Sequence, residues 1–291
     1  MGRSWSAGCC VLLAGLAPAC ALFTTLDGLS GQDGATDAGA TESAAPAPTT
    51  SSTSGGDGGP AERTPDAGLP DGGAPGAAYR AAVLADGPKG YFGLEELQGN
   101  GCVNLGASAD VTCIYPTSGV TRGAPGIAGT KGLHFDSVAS RLSLNGSPTA
   151  LAQPYTIELW FVEEAIVKAT HVLSLENVGA PRNGIVVFVD DDLALHAEAW
   201  SSNTLLSYAV TATPLVAKVW HHVALVHATG PDEDRMFVDG APVEGMNLAA
   251  GSRPTITSPL SFGDFVGSID EVAVYDRALT PARIAAHFAA Q

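Results

Sequence analysis

The chain is poor in basic residues and in aromatic residues. Its 291 residues include 14 Lys and Arg against 30 Asp and Glu, which gives a formal net charge of −16 at pH 7, and only 7% are aromatic. A surface that binds nucleic acid or anionic lipid needs clustered cations, which such a chain does not offer. The composition therefore predicts no nucleic-acid partner.

Motifs of several enzyme classes are also missing. The sequence has no Gly-x-Ser-x-Gly elbow, no His-Glu-x-x-His pair and no phosphate-binding Gly-Lys-Ser/Thr loop. Of the seven histidines, His221 and His222 are neighbours on a predicted strand, so their side chains point apart, and the other five stand alone. Because a zinc site needs about four clustered ligands, the histidines predict no metal site. The missing motifs predict no cofactor and no catalytic residue of the hydrolase, metalloprotease or phosphate-binding classes.

The first residues have the pattern of an export signal. Arg3 precedes an apolar run from Ala7 to Leu16, and small residues follow that run. A basic start, a short apolar run and a small-residue cleavage site are typical of a secretory signal peptide, and this run is too short to span a membrane. We therefore expect residues 1–19 to be a signal peptide and the protein to be exported.

Cys20 follows this segment in the position that a bacterial lipobox gives to its lipidated cysteine. Ala17 and Pro18 depart from the lipobox pattern, and cleavage after Ala19 or Ala21 without lipidation is the alternative. A lipid on Cys20 would tether the chain to a membrane as a cell-envelope lipoprotein, in the outer membrane or at the cell surface. Without the lipid, the protein would be secreted.

Residues 20–76 are predicted to form a disordered linker. From Gly28 to Gly76 nearly every residue is Gly, Ala, Ser, Thr, Pro or Asp, with Leu29 and Leu69 as the large apolar side chains. Such a segment cannot bury enough apolar surface to offset the entropy of ordering. The remaining residues, 77–291, fit the size of a single β domain.

Two of the five cysteines, Cys102 and Cys113, remain in the predicted folded part. An even pair in an exported domain is most simply a disulfide, and here the loop it would close is short. Two buried free thiols are the alternative, and a metal site is disfavoured because no other ligand type lies at ligand spacing. We predict the disulfide.

The folded part is predicted to be a series of short strands separated by turns. Runs such as 141–144, 155–162 and 184–190 have strand character, and nearly every connection contains Gly, Pro, Asn or Asp. This pattern predicts an all-β sandwich or barrel. The pair Asp239-Gly240 favours a type I′ hairpin turn, and Thr280 followed by Pro281 predicts a short capped helix at the C-terminus.

Four segments carry a family resemblance. They are YFGLEE at 91–96, YTIELWF at 155–161, WHHVA with FVDG within 220–240, and VGSIDEVAVYDRALTPARIAAHF at 266–288. Together they resemble the laminin-G-like branch of the concanavalin A-like lectin/glucanase superfamily. The resemblance implies a jelly-roll sandwich of two antiparallel sheets with a short C-terminal helix, and a glycan or protein ligand on the concave face or at rim loops. It also implies that Trp220 is a packing residue, and Trp160 lies in a similar apolar run.

Many laminin-G domains and the related pentraxins bind calcium through rim-loop oxygens. Asn183 lies where the pentraxin pattern has its Asn, and Asp264 precedes the last strand, but the other acidic ligands of that pattern are missing. Too few oxygens remain for an ion that takes about six to eight. The resemblance therefore implies a degenerate or absent calcium site, with Asn183 and Asp264 as the candidate ligand-binding residues.

A glycosidase is the alternative function, because glucanases of this superfamily carry catalytic acids on a strand. Asp270 and Glu271 are adjacent, so regular strand alternation would send them to opposite faces, whereas retaining hydrolysis needs two carboxyls about 5 Å apart. The Glu-x-Asp-x-x-Glu pattern is absent, and most aromatics are expected in strand cores. We therefore predict a non-enzymatic binding or adhesion module. A polysaccharide hydrolase or lyase, or a structural envelope protein, are the alternatives.

Overall fold

Two antiparallel sheets packed against each other form the fold. A computed structural model describes residues 74–146, 154–165, 170–177, 181–229, 234–245 and 258–291, all within one compact unit from Thr64 to Gln291. The predicted signal peptide, Cys20 and the predicted linker up to residue 73 lie outside the described residues, so the domain boundaries stay predictions. No helix in these ranges is long and apolar enough to cross a lipid bilayer.

Within these ranges the chain alternates strands with short turns and has a helix near each end. The elements are α1 (Ala77–Ala85), β1 (Gly90–Phe92), β2 (Thr112–Ile114), β3 (Val120–Pro125), β4 (Lys131–Phe135), β5 (Arg141–Asn145), β6 (Tyr155–Ala165), β7 (Thr170–Ser174), β8 (Gly184–Val189), β9 (Leu195–Ser201), β10 (Thr204–Val210), β11 (His221–His227), β12 (Arg235–Val238), β13 (Ala241–Val243), β14 (Leu260–Gly263), β15 (Val266–Tyr275) and α2 (Pro281–Ala289). A 3₁₀ turn, Ile127–Gly129, lies between β3 and β4.

The strands of the described part form an eight-stranded and a seven-stranded sheet. The larger sheet has the order β13-β12-β11-β6-β15-β4-β3, with β1 also paired to β15, and the smaller sheet has the order β10-β9-β8-β7-β14-β5-β2. The named strand pairs are antiparallel. This confirms the predicted all-β sandwich of two antiparallel sheets.

Apolar side chains of both sheets meet in the core between them. In β5 the alternation is regular, because Leu142 and Leu144 are buried while Arg141, Ser143 and Asn145 are exposed. Burial of such side chains contributes about 25 cal/mol per Å² of apolar area, so each inward position helps to fix the register. The seven-stranded sheet thus has an inner face in the core and an outer face that points away from it.

Helix α2 covers part of the outer face of the eight-stranded sheet. The Thr280 side chain caps α2 by accepting a hydrogen bond from a backbone N–H three residues on, and Pro281 is the first helical residue, as predicted. Ile284 is fully buried, and Phe288 stacks on Trp160 with ring centroids 5.6 Å apart. Trp160 is itself 1% exposed, which confirms it as a core residue.

The predicted hairpin turn joins β12 to β13. Val238 pairs with Ala241 across it, and Asp239 and Gly240 have φ values of 50° and 76°. Positive φ at both central residues is the mark of a type I′ turn, whose twist matches that of the flanking strands. The Asp-Gly prediction is therefore confirmed.

Strand β15 contains a β-bulge that alternation alone does not predict. Between Asp270 and Ala273 the strand has one residue more than its partner β6, and Glu271 has a φ of 53°, in the left-handed region. Both acidic side chains consequently lie on the outer face, where Asp270 contacts Thr130 and Glu271 contacts Tyr91. The prediction that Asp270 and Glu271 point to opposite faces is therefore wrong.

A disulfide joins Cys102 to Cys113. The two Cα atoms are 5.2 Å apart, and the backbone N–H of Cys102 donates to the carbonyl of Cys113 at 3.1 Å. Cys113 lies in β2 and is buried in the core between the sheets. The bridge therefore ties the loop after β1 to the edge of the seven-stranded sheet.

Candidate functional site

The outer face of the seven-stranded sheet carries a row of aligned side chains. Cross-strand pairing places one residue of each strand in this row, and its central members are Ser174, Ser261 and Ser143. The complete row is Tyr208, Glu198, Val186, Ser174, Ser261, Ser143 and Ile114. Because serine side chains are short, they leave a depression between taller neighbours.

The depression is a pocket of about 320 Å³, which we call the serine pocket. Its lining includes the three serines together with Arg141, Glu176 and Asn177. The volume lies at the lower end of the range for small-ligand sites, roughly 300–1,000 Å³. Hydroxyl, carboxylate, amide and guanidinium groups offer both donors and acceptors here. This lining suits a ligand that is rich in hydroxyl groups.

Aromatic rings flank the serine pocket on the side of β8, β9 and β10. Phe188 and His196 stack with ring centroids 4.8 Å apart, and the Tyr208 ring lies 5.5 Å from that of His196. Tyr208 is 40% exposed, and Phe188 and Trp200 are half-buried. Such rings present apolar faces beside hydrogen-bonding edges. Most aromatics of the described residues are buried, as expected, and Phe188, Trp200 and Tyr208 are exceptions on this outer face.

Arg182 connects these rings to the serine pocket. Its guanidinium carbon lies 4.2 Å from the centroid of the Trp200 ring, its Nε donates to Glu176 at 2.6 Å, and its Nη1 lies 3.4 Å from Glu198. Trp200 Nε1 donates to Glu198 at 2.8 Å. The cation–π contact and the charge-assisted hydrogen bonds hold these four side chains in one arrangement.

Asp190, His196 and Tyr208 form a hydrogen-bonded chain on the same face. His196 Nε2 lies 2.7 Å from Asp190 Oδ2, and the Tyr208 hydroxyl lies 2.8 Å from His196 Nδ1. Burial raises the pKa of Tyr208, and the negative charges of Glu198 and Asp190 raise it further. The two hydrogen bonds hold the His196 and Tyr208 rings in a fixed arrangement beside the serine pocket.

Asp264 holds Arg141 at the other end of the serine pocket. Arg141 Nε donates to Asp264 Oδ1 at 2.5 Å, the Arg141 Nη2 pairs with Oδ2, and His171 Nδ1 lies 3.3 Å from that same Oδ2. Burial alone would raise the pKa of Asp264, but hydrogen bonds from His171 and Arg141 lower it overall. The lowered pKa favours the ionised form of Asp264, and its carboxylate pairs with the guanidinium of Arg141.

The two predicted ligand residues, Asn183 and Asp264, do not line the serine pocket, but each contacts a residue that does. The Asn183 carbonyl accepts a hydrogen bond from the backbone N–H of Asn177, which lines the pocket, and Asp264 pairs with Arg141 and His171. Because His171 and Asn177 are about six residues apart along an extended chain, Asn183 and Asp264 lie about 20 Å apart. They cannot share one ion. No group of three or more His, Cys, Asp and Glu suited to a metal occurs in the described ranges.

Sequence reasoning does not single out the serine row, although a signal for it exists. Each serine stands between two large apolar residues, as LSL at 142–144, LSL at 173–175 and LSF at 260–262. Strand alternation places such a serine on the face opposite the core. That three distant triplets align depends on strand order and register, which local patterns do not give.

The buried acids of β15 form a separate cluster beside α1. Asp270 accepts a hydrogen bond from the Thr130 hydroxyl, and Glu271 accepts one from the Tyr91 hydroxyl and lies 3.5 Å from Arg80 of α1. Burial, and then the charge of Glu271, raises the pKa of Asp270 to about 8, and burial also raises the pKa of Glu271. Both acids have no exposed surface. A polysaccharide therefore cannot reach them in this conformation.

The sequence and the fold match known proteins. The family model Laminin_G_3, described as the concanavalin A-like lectin/glucanases superfamily, matches residues 136–285, which is just over half of the chain. The chain belongs to this superfamily. No curated protein matches it. The matched range of this concanavalin A-like domain contains the three serines, Arg141 and the aromatic rings beside the serine pocket.

Solved structures that share the fold include an enzyme and a binding domain. Trypanosoma rangeli sialidase in complex with 2,3-difluorosialic acid matches with a TM-score of 0.54 and 16% identity over 69% of this chain and 32% of that chain. The binding domain of Paraclostridial Mosquitocidal Protein 1 matches with a TM-score of 0.54 and 14% identity over 70% and 52%. The concanavalin A-like domain thus spans about a third of the sialidase. At these identities the likeness shows the fold alone.

Proposed function

We propose that this concanavalin A-like domain binds a saccharide in the serine pocket and against the neighbouring aromatic rings, without cleaving it. The observation that carries the proposal is the serine row, which sets Ser143, Ser174 and Ser261 between aromatic side chains and Arg141. A sugar ring has hydroxyl groups at its edge and CH groups on its faces. It therefore needs hydrogen-bonding groups and apolar surface side by side, as this face provides.

The places where carboxyl pKa values are raised and lowered favour binding without cleavage. A glycosidase uses a general acid with a raised pKa beside a second carboxylate in the cleft. In the described part, the carboxyls with a raised pKa are Glu163, Asp270 and Glu271, and all three are buried in the eight-stranded sheet. At the serine pocket, by contrast, the pKa of Asp264 is lowered.

A polysaccharide hydrolase or lyase is the second candidate function. It is favoured by the sialidase among the solved structures, whereas the binding domain of the mosquitocidal protein favours binding. This chain spans about a third of the sialidase, so the activity of that whole enzyme is only weak support for catalysis by this domain. The test must therefore measure both binding and cleavage.

We further propose that the protein is exported and tethered to the cell envelope through a lipid on Cys20. The support is the sequence of the N-terminal segment, in which small residues precede Cys20 and a linker composed of Gly, Ala, Ser, Thr, Pro and Asp follows it. Such a linker would let the domain reach ligands at a distance from the membrane.

A glycan array probed with the full chain tests the proposed function. Ser143 is exposed in β5 and lines the serine pocket, so Ser143→Leu should fill the pocket and weaken binding by about tenfold or more. Thr112 is exposed in β2 and pairs with Asn145 outside the pocket. Thr112→Leu adds a similar apolar side chain to the sheet and is therefore the matched control.

Two results on the array would refute the proposal. One is an array on which the full chain binds no glycan above background. The other is a bound glycan whose affinity is the same in wild type and Ser143→Leu, because the ligand would then lie elsewhere on the protein. Equal melting temperatures of the two leucine variants show that a difference in binding does not come from misfolding.

A further inference from the structure

The outer face of the eight-stranded sheet holds a larger cavity, which we call the Trp220 groove. It has a volume of about 710 Å³, more than twice that of the serine pocket, and within the range of known small-ligand sites. Its lining comes from β3, β4, β6, β15 and the segment before β11, and includes Thr121, His134, Asp136, Glu164 and Trp220. It therefore lies on the side of the sandwich opposite the serine pocket.

A row of paired residues forms the floor of this groove. Thr121 pairs with His134, His134 with Ser268, and Ser268 with Val162. His134 Nδ1 lies 3.1 Å from the Ser268 hydroxyl. Trp220 stands beside this floor, half-buried, with part of its surface packed on the apolar cluster beneath α1 and α2. The prediction that Trp220 is a packing residue is thus only partly right, because it also lines the groove.

Charges of both signs line the Trp220 groove. Asp136 and Glu164 are negative, Lys218 is positive, and His134 stands 3.7 Å from Asp136 and 3.8 Å from Glu164. These distances are too long for hydrogen bonds. Asp136 Oδ1 accepts from the Thr121 hydroxyl at 3.1 Å, so Asp136 can accept from a ligand through Oδ2 and Glu164 through its carboxylate. The two acids face different ring nitrogens of His134, and the three groups therefore do not converge as metal ligands would. Mixed charge disfavours a strongly anionic or cationic ligand.

We propose that the Trp220 groove is a second saccharide site, which takes an uncharged oligosaccharide of two or more rings. One sugar ring lies against Trp220, and its hydroxyls donate to Asp136 and Glu164 and exchange hydrogen bonds with His134. The site is independent of the serine pocket, because the two lie on different sheets. With both sites occupied, one domain can bridge two glycan chains, which raises avidity without any new contact.

Nuclear magnetic resonance of the ¹⁵N-labelled full chain tests the second site. Cellohexaose, laminarihexaose, mannohexaose and xylohexaose are titrated separately, and at least one should shift the amides of β3, β4 and β15 that border the groove. The double variant Asp136→Asn with Glu164→Gln should weaken this binding by about tenfold or more, because each change removes a charged acceptor. Asp110→Asn with Glu244→Gln removes the same charge at exposed positions outside the groove and is the matched control.

Each outcome of the titration decides the proposal. Shifts at the groove that weaken in the double variant and persist in the control support it. No shift at the groove with any of the four sugars overturns it, and so does binding that is equal in the double variant and the wild type. Shifts confined to β5, β7 and β14 overturn the second site and leave the serine pocket standing. Shifts confined to the groove support the second site and count against the serine pocket.

Discussion

His287 of the C-terminal helix reaches the carboxylate of Glu158 on the central strand β6, with His287 Nδ1 3.0 Å from Glu158 Oε1. Neither side chain has any exposed surface. His287 Nε2 in turn lies 2.8 Å from Asp86, at the end of α1, and His222 Nε2 lies 3.3 Å from Glu158. This buried network fastens both helices to the eight-stranded sheet.

The stability of the domain should depend on pH through this pair. Burial alone would raise the pKa of Glu158, but hydrogen bonds from His222 and His287 bring it to about 2, so its contribution is present above pH 4.5 and is lost as the pH falls. Burial opposes the charged form of His287, but Glu158 and Asp86 raise its pKa above 6.5. Its contribution is therefore full below pH 6.5 and is lost as the pH rises through the raised pKa. We expect the pair to add most to the free energy of unfolding between pH 4.5 and 6.5, as urea denaturation can measure.

The variant His287→Ala isolates this effect. Breaking a buried ion pair costs about 3–5 kcal/mol, and this loss should be largest within that pH window. The pKa of Asp270 is also raised, to about 8, so its ionisation adds a second pH dependence to the free energy of unfolding. The variant His287→Ala keeps Asp270 and therefore keeps this second pH dependence. If His287→Ala keeps the stability of the wild type at all pH values, the network has no energetic role.

The two tryptophans of the eight-stranded sheet should differ in their effect on stability. Trp160 is 1% exposed, so Trp160→Ala should lower the free energy of unfolding by about 3–5 kcal/mol. Trp220 is half-buried, and Trp220→Ala should cost about half as much while weakening ligand binding in the Trp220 groove. Chemical denaturation of both variants measures the difference. Equal costs would mean that Trp220 is a packing residue alone.

The disulfide between Cys102 and Cys113 should stabilise the folded domain. It closes a loop with a sequence separation of 11, for which restraint of the unfolded chain contributes about 3 kcal/mol. Peptide mass spectrometry without reduction should find the two cysteines linked. Alkylation of both thiols in unreduced protein would contradict the bridge, and Cys102→Ser with Cys113→Ser should show the loss of stability.

The serine pocket should prefer uncharged saccharides to acidic ones. Both guanidinium groups at the pocket already pair with carboxylates, Arg141 with Asp264 and Arg182 with Glu176 and Glu198. An acidic sugar would have to displace one of these carboxylates or lie beside them without a cation of its own. For a glycan that binds, we expect the sialylated or uronic form to bind about tenfold more weakly than its uncharged parent. The difference should shrink in high salt, and tighter binding of the acidic form would be incompatible with this arrangement.

The segment before the domain should be the part of the chain that proteases cut first. From Gly28 to Gly76 it has almost no large apolar side chains, so limited proteolysis should remove it and leave 77–291 intact. Mass spectrometry of the mature N-terminus also shows whether Cys20 carries a lipid. If proteases cut within 77–291 earlier in the digest than within the linker, the predicted domain boundary is wrong.

The architecture could be predicted because its signals are local. Alternation in runs such as 141–144, the Asp239-Gly240 turn and the Thr280 cap each involve residues that are close in sequence. The bulge at Glu271 could not be predicted in the same way. Glu271 is held by Arg80 and Tyr91, which lie about 190 and 180 residues earlier and meet it only in the folded chain.

The candidate site could be predicted only in part, for a related reason. Asn183 and Asp264 were expected from the resemblance and each contacts a residue that lines the serine pocket, so their role stays a prediction. The floor of the pocket depends on the register of three distant strands. The serines have no charge and belong to no motif, so composition does not mark them. Their shared setting between large apolar residues becomes informative once the strand order is known.

Native mass spectrometry of the full chain with an oligosaccharide that it binds on the array tests the central claim most directly, because one spectrum reports both the complex and any product. We predict a complex that contains the intact oligosaccharide, that holds one sugar molecule fewer in Ser143→Leu than in the wild type and in Thr112→Leu, and no shortened sugar after prolonged incubation. Shortened oligosaccharides that accumulate with the wild type and not with Glu176→Gln, a change to the acid that lines the serine pocket, would contradict the claim and make the protein a hydrolase or lyase.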